Sequence, residues 1–357
     1  AWALVDSQLA VVARSGRRVV IADAIRDVVA GRDLSPAEVE SAMDAILDGQ
    51  ASPAQVAAFV VGLRMKGESS TEIAAAAQAL RKHCESIRPS VEGPLIDTCG
   101  TGGDGLHTFN ISTAAAIVVA ACGIAVAKHG NRAVSSKAGS ADVLEALGVR
   151  IDLTPDQVRR CVEEAGIGFL FAPSHHAAMR HAAPVRRELG IRTLFNLLGP
   201  LANPAGATHQ LVGVYDGSRV RQLAEALGAL GLTAAWVVHG EGGLDEVSPS
   251  GPTTVAQLEG GEVTTFEVTP ADFGLSAVPL ESLGGGDAEE NAAIIRRVLG
   301  GDQSPARVAV VLNAAAALKV TGAAKDLGDA ARRASAAIDD GAALQTLERW
   351  AALTQDP

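Results

Sequence analysis

Aromatic side chains are scarce: Phe, Tyr and Trp together make up 3% of 357 residues, and there is a single tyrosine. The chain is long enough for a large core, which must therefore be built from Ala, Val, Leu and Ile. Cysteines are few as well. Cys84, Cys99, Cys122 and Cys161 are widely spaced, with no CxxC pair, which disfavours a zinc site or a disulfide framework and leaves reduced, mostly buried thiols in a cytosolic setting as the expectation. Long apolar runs are missing too. Ala114 to Ala127 is interrupted by Gly123 and falls short of the roughly 20 residues that cross a bilayer. Near the start, Arg14, Arg17 and Arg18 interrupt the apolar segment, so neither a signal peptide nor an anchor is expected. Basic charge is in deficit: the formal net charge is −11. A sequence-independent nucleic-acid binder would need a basic face to displace counterions, so that class is disfavoured, although a local positive pocket remains compatible.

What is present is a soluble, globular composition, 48% hydrophobic and 20% charged, at a length that suggests roughly two domains. The first ninety residues read as helical throughout. Three segments carry the capping-box pattern, in which a hydroxyl and a Glu or Gln three residues later satisfy the free N–H groups of a helix start: Ser35 to Glu38, Ser52 to Gln55 and Ser69 to Glu72. Apolar residues then recur at helical spacing, as in Val56, Phe59, Val60 and Leu63. Pro89, Gly93 and Pro94 mark a linker. Beyond it, short apolar strands alternate with helices: "LIDTC", a helix ending at Gly123, "IAVAKHG", the helix "SADVLEALG", and later "HQLVGVYD", a helix and "TAAWVVHG". This alternation predicts a mostly parallel sheet covered by helices. A hairpin turning at Gly260-Gly261 would add antiparallel strands, and three helices, near 288–299, 305–321 and 325–353, would close the chain. The fold class is thus α/β: a small all-helical domain over 1–90 and a larger α/β domain over 91–357 with a mostly parallel central sheet.

In an open parallel sheet, ligands sit beyond the carboxyl ends of the strands, and each polar cluster of this sequence falls at such an end. "GTGGDGLHTFNIST" follows the first strand. Glycines at 100, 102, 103 and 105 can adopt positive φ and turn N–H groups inward as an anion nest, and Asn110, Ser112 and Thr113 stand where the next helix begins. A diphosphate suits that arrangement; alone, the same residues also fit a tight turn and a helix cap. "KHGNRAVSSKAGSAD" follows the second strand, bringing Lys128 and Arg132 with Asn131, Ser135, Ser136 and Ser140, the last a candidate N-cap. Asp245-Glu246 closes "HGEGGLDEVS". Adjacent carboxylates on a turn suit Mg²⁺, which prefers oxygen ligands and keeps waters that substrate phosphates can replace; taken alone, most such pairs are simply solvated. Three histidines and three arginines crowd 175–190. They read either as a basic wall for a carboxylate, with Arg pairing bidentately, or as a solvated helix face. His107, His129 and His239 flank the loops without an evident proton-transfer role.

Four segments, "GTGGDGLHTFNIST", "KHGNRAVSSKAGSADVLEALG", "PVRRELGIRTLFNLLGPLANP" and "HGEGGLDEVS", closely resemble the signature segments of the anthranilate phosphoribosyltransferases, in order and spacing, over about residues 20 to 350. The resemblance implies a nucleoside phosphorylase/phosphoribosyltransferase-like fold, with the helical segment near 174–200 packing back on the small domain, and a homodimer formed through the helical domains; the first twenty or so residues have no counterpart in it and are expected to be an extension. It implies transfer of phosphoribose from 5-phosphoribosyl 1-diphosphate to the amine of anthranilate, with Mg²⁺ present, in cytoplasmic tryptophan biosynthesis. It implies that Gly100, Gly103, Asp104, Thr108, Asn110, Ser112 and Thr113 form the diphosphate loop and its continuation, and that Lys128, Ser136 and Ser140 contact the phosphoribosyl group. It further implies that Gly100, Asn131 and Arg186 bind anthranilate, and that Ser112, Asp245 and Glu246 hold the metal. No general base is implied: the aromatic amine is already neutral at pH 7, so positioning matters more. Two rival readings share the fold, a pyrimidine nucleoside phosphorylase-like enzyme and a non-catalytic nucleic-acid-binding relative. The first should carry a different phosphate loop and no "LDE" segment; the second should show a basic surface and a broken Arg wall.

Overall fold

The computed structural model describes residues 21–133 and 137–356. The N-terminal extension expected from the sequence, and Ser135 and Ser136, lie outside them. Four helices come first: α1 (Ile21–Val29), α2 (Pro36–Leu47), α3 (Pro53–Lys66) and α4 (Ser70–Lys82). The capping boxes at Ser35, Ser52 and Ser69 are all formed. One does more than cap. Glu72 is fully buried; while its carboxylate accepts from Ser69 N, it also accepts from Leu34 N and Lys66 Nζ, tying three segments together.

The rest is an α/β layer structure. A seven-stranded sheet runs in the order β3-β2-β1-β4-β5-β6-β7, formed by β1 (Leu95–Gly100), β2 (Ala125–Gly130), β3 (Ile167–Phe171), β4 (His209–Gly213), β5 (Ala234–Gly240), β6 (Thr253–Glu259) and β7 (Glu262–Val268). The first five are parallel, and β6 and β7 add an antiparallel hairpin turning at Gly260 (φ 59°) and Gly261 (φ 83°). Positive φ at both turn residues matches the right-handed twist of the flanking strands.

The helices of this layer are α5 (Ile111–Ala121), α6 (Ser140–Ala146), α7 (Pro155–Arg160), α8 (Ala183–Leu189), α9 (Leu194–Leu201), α10 (Val220–Ala229), α11 (Ala288–Leu299), α12 (Pro305–Val320), α13 (Leu327–Asp339) and α14 (Ala342–Gln355). On one face of the sheet, α5 packs against α12, and α11, α13 and α14 complete a core rich in alanine. Small side chains at Ala114–Ala116 and Ala314–Ala317 let these helices approach closely, which is how a chain poor in aromatics fills its interior. On the other face, α8, α9 and α10 share a core with α1 to α4: Val185, Leu194, Phe195, Leu197, Leu198 and Leu223 belong to one cluster with residues such as Phe59, Leu63 and Leu80. The single terminal helix expected over 325–353 is two helices. Gly341, at φ 81°, takes a left-handed conformation that an L side chain rarely adopts, and the chain turns there.

Candidate active site

The parallel order places the carboxyl ends of β1, β4 and β5 side by side, and register decides what meets there. Gly100 pairs with Gly213, and Gly213 with Val238. The two adjacent glycines open a trough into which the Leu244–Val247 turn descends from β5. A Cβ on Gly213 would overlap the Asp245 carbonyl oxygen, and one on Gly100 would stand 2.6 Å from Asp245 Oδ2. Gly100 is therefore required for this approach, and it does not take the positive φ expected of it. Gly102, Gly103 and Gly105 do carry positive φ, at 69°, 80° and 78°.

The nest and the carboxylate turn are directly bonded. Gly102 N donates to Asp245 Oδ2 at 2.7 Å, and Ser112 N, in the first turn of α5, donates to Glu246 Oε1 at 3.1 Å. Burial pushes both carboxyls well above their ordinary range. Asp104 adds repulsion at Asp245, as Asp245 does at Glu246, where Lys128 acts in the opposite direction. Lys128, on β2, is buried and donates to Thr98 O at 2.6 Å and Ser112 Oγ at 3.4 Å. Burial lowers its affinity for a proton, and Asp97 opposes that effect. Asp97 is fully buried and accepts from His129 N at 3.0 Å and Asn203 Nδ2 at 2.7 Å.

The continuation of the loop is stitched to the start of α11. Thr108 bridges to Gly284, Phe109 N donates to Leu283 O, and Asn110 Oδ1 accepts from the buried Asn291 Nδ2 at 3.0 Å. Asn110 begins α5 but makes no side-chain cap bond, and Thr113 is buried with an unpartnered hydroxyl. In the 130–140 loop, Ser140 is the first residue of α6 rather than its cap. Gly139 occupies the cap position, and the loop is drawn in by Asp142, which accepts from Ala133 N and Gly139 N. Ser140 Oγ is free to bond the Asn131 backbone instead, at 3.3 Å to both N and O. Ser136 lies outside the described residues.

The 175–190 segment divides. His175 and His176 are buried, so they form no basic wall. His176 lies 5.1 Å, ring to ring, from the buried His129, and burial lowers their pKa values to about 4 and about 3, leaving both rings neutral at pH 7. Arg187 is exposed. Arg186 is half-buried, with its guanidinium 5.7 Å from the Phe195 ring centre, and its side chain has no hydrogen-bond or ion-pair partner among the described residues. It is thus an uncompensated cation on α8, with no contact to the nest.

One participant escaped the sequence reading. Arg192 stacks 3.5 Å above the Tyr215 ring and donates to Gly103 O, so the nest is held from outside by a cation on an aromatic platform. The only signal in the sequence was its place in "GIRTLFN", next to the Arg-rich segment.

The donor set can be tested against a divalent ion. Asp104, Asp245 and Glu246 have no ion pair within 4 Å among the described residues, and no cluster of three or more His, Cys, Asp or Glu side chains suited to a metal occurs among them. Two partly desolvated carboxylates beside an anion nest fit an ion that takes one or two protein oxygens and completes its shell with water and phosphate, as Mg²⁺ does.

Comparison with known proteins agrees with this geometry. The glycosyl transferase family a/b domain matches residues 92–344, and the helical bundle domain of the same family matches 22–84. The anthranilate phosphoribosyltransferase of Myxococcus xanthus is 55% identical over 330 residues, covering 92% of this chain and 97% of its own. The crystal structure of the Thermus thermophilus enzyme of that name superposes with a TM-score of 0.89 at 45% identity, over 94% of this chain and 100% of its own. The Saccharomyces cerevisiae enzyme, solved with PRPP and Mg, gives a TM-score of 0.86 at 28% identity, over 95% and 99%. A two-carboxylate turn beside a glycine nest, on this fold and at this identity along nearly the whole length, places the chain in the anthranilate phosphoribosyltransferase family.

Proposed function

We propose that this chain transfers the phosphoribosyl group of 5-phosphoribosyl 1-diphosphate to the amine of anthranilate, giving N-(5-phosphoribosyl)anthranilate and diphosphate, in tryptophan biosynthesis. The observation that carries the reading is the direct bonding of the glycine nest and the α5 N-terminus to the Asp245–Glu246 turn, through Gly102 N and Ser112 N. It supports a site in which one diphosphate meets backbone donors on one side and a metal-ready carboxylate pair on the other. The yeast relative has been solved with PRPP and Mg and with 4-fluoroanthranilate, which supports the same substrates and ion here.

The roles are those that the family resemblance implies, and each suits the chemistry of its residue. N–H groups of Gly103 and Asp104, with Thr108, Asn110, Ser112 and Thr113 at the head of α5, bind diphosphate oxygens. Lys128, Ser136 and Ser140 hold the phosphoribosyl group. Asp245 and Glu246, with Ser112, hold Mg²⁺, which when bound supplies positive charge against the leaving diphosphate. Arg186 pairs with the anthranilate carboxylate, and Asn131 and Gly100 complete that subsite. The C1–O bond to diphosphate breaks as positive charge develops on the ribose, the anthranilate nitrogen forms the new C1–N bond, and its surplus proton leaves to solvent. Because the amine is neutral at pH 7, the residues orient rather than deprotonate it.

A homodimer through the helical domain is part of this proposal. Val29 and Met65 are 72% and 83% exposed on neighbouring helices, an apolar pair that a second copy would cover. No helix of the described residues is long and apolar enough to cross a membrane, which suits a cytoplasmic enzyme acting on small solutes. Mixing the protein with anthranilate, 5-phosphoribosyl 1-diphosphate and Mg²⁺ and following anthranilate fluorescence tests the reading. Loss of fluorescence that stops on chelation of the metal is expected; steady fluorescence at all Mg²⁺ concentrations contradicts it.

A further inference from the structure

Helix α12 is almost wholly buried, and most of its length is Ala, Val and Leu. Apart from Pro305, Arg307 and Lys319 near its ends, one residue breaks that composition. Asn313, fully buried in the middle of the helix, carries an amide into a layer where an unpaired polar group is costly. The amide is satisfied on both ends. Its Oδ1 accepts from Val247 N at 2.9 Å, and its Nδ2 donates to Val247 O at 3.1 Å and Ala309 O at 3.0 Å. Two of the three bonds thus grip both backbone groups of one residue, the one that follows Glu246. The same turn is held elsewhere by backbone contact. Gly240 N donates to Leu244 O at 2.8 Å, and a Cβ on Gly240 would stand 2.7 Å from Glu246 O. With the Gly213 trough beneath Asp245, the backbone of the turn is fixed at Leu244, Asp245, Glu246 and Val247 in succession. Among these four holds, only the one at Val247 comes from a side chain.

We propose that Asn313 is a positioning residue for the carboxylate pair, setting from the core the separation and direction at which Asp245 and Glu246 present their oxygens. It touches no substrate. A carboxylate pair that is partly desolvated and mutually repelling would relax apart if its backbone were loose. A rigid anchor on the next residue would keep the oxygens together where they could hold an ion. An apolar residue would pack as well in α12, so packing alone does not account for an amide there. The inference rests on the reading that Asp245 and Glu246 hold Mg²⁺.

The test uses the whole chain and two variants, Asn313→Leu, which keeps the branched shape and removes all three bonds, and Asn313→Asp, which keeps the acceptor and turns the donor into a carboxyl oxygen facing Val247 O. Calorimetric titration with 5-phosphoribosyl 1-diphosphate at fixed Mg²⁺ should show affinity weakened about tenfold or more in each variant, while the anthranilate KM moves less than about twofold. Folded variants with wild-type affinity, or with both substrates affected equally, overturn the proposal. The Asp245→Asn, Glu246→Gln double variant separates the two layers. If it too binds as wild type in Mg²⁺, the metal reading fails; if it loses Mg²⁺-dependent binding while the Asn313 variants keep it, only the Asn313 role fails. Should neither Asn313 variant fold, hydrogen exchange in the wild type decides: the Val247 amide should be strongly protected, and rapid exchange there overturns the anchor.

Discussion

The two ends of the site are built on different principles. At the proposed diphosphate end almost everything is backbone: positive-φ glycines, the first N–H groups of α5, and a turn lowered between Gly100 and Gly213. At the proposed anthranilate end a single half-buried cation, Arg186, rests against Phe195 without a counter-charge among the described residues. The difference follows from the guests. A diphosphate is compact and densely charged, and a rigid ring of donors that needs no reorganisation meets it best. Anthranilate offers one carboxylate on an aromatic ring, which one guanidinium can orient bidentately. Damage at the first end should therefore abolish chemistry, and damage at the second should change which acceptor is held.

The largest effect is expected from Asp245→Asn with Glu246→Gln. Mg²⁺-dependent turnover should fall by on the order of a thousandfold or more, since metal and leaving-group stabilisation go together. Folding should survive, because two carboxyls pushed toward neutrality by burial are replaced by amides of the same shape. Steady-state rates across a Mg²⁺ series, with a thermal melt as control, check both halves.

Gly103→Val comes next. At φ 80° an L side chain is strained, and its Cβ would collide with the Arg192 guanidinium that braces the nest. Affinity for 5-phosphoribosyl 1-diphosphate should drop by about tenfold or more, roughly 1.4 kcal/mol at least, with anthranilate recognition spared. Calorimetry giving wild-type affinity in a folded variant would return this loop to an ordinary tight turn.

Arg186→Ala probes the other end. Losing a charge-assisted contact and leaving the substrate carboxylate unpaired should cost about 2–4 kcal/mol in kcat/KM for anthranilate, with little change for the diphosphate substrate. Arg187 is the control, exposed and about 100° round the helix, so Arg187→Ala should be milder. Equal rises in both KM values for Arg186→Ala, or a worse effect from Arg187→Ala, would overturn the carboxylate assignment.

The smallest effect concerns stability. His129 and His176 are neutral in the fold, at about 3 and about 4, so unfolding below about pH 6.5 takes up protons that the native state does not bind. Stability should be full above that pH and fall as pH drops toward about 4, on the order of 1.4 kcal/mol per pH unit for each ring. Because the site carboxyls titrate in the opposite sense, the useful quantity is the difference between wild type and His176→Asn, read from denaturant melts at pH 7 and pH 5. That difference should shift against the wild type on acidification; a constant difference would mean that the ring is charged or solvated in the native state.

Much of the fold was legible because its signals are local. The capping boxes at Ser35, Ser52 and Ser69, the apolar strands and the Gly260-Gly261 hairpin are each determined by neighbours within a few residues. What was misread depended on partners far along the chain. Gly100 reads as a positive-φ glycine until register sets it beside Gly213 under Asp245; Ser140 is the local exception, since Gly139 takes the cap position and Asp142, two residues on, closes that loop. His175 and His176 looked like part of a charged wall, yet they are buried. Arg192 and Asn313 were silent because their importance lies in contacts made 89 and 66 residues away.

The most direct measurement of phosphoribosyl transfer itself is its stoichiometry. Anthranilate consumed and diphosphate released can be quantified in the same reaction containing 5-phosphoribosyl 1-diphosphate and Mg²⁺. The account predicts equal amounts of the two at every time point, with neither change when anthranilate is omitted or the metal is chelated. Diphosphate released at the same rate without anthranilate, or anthranilate consumed with no matching diphosphate, would contradict it.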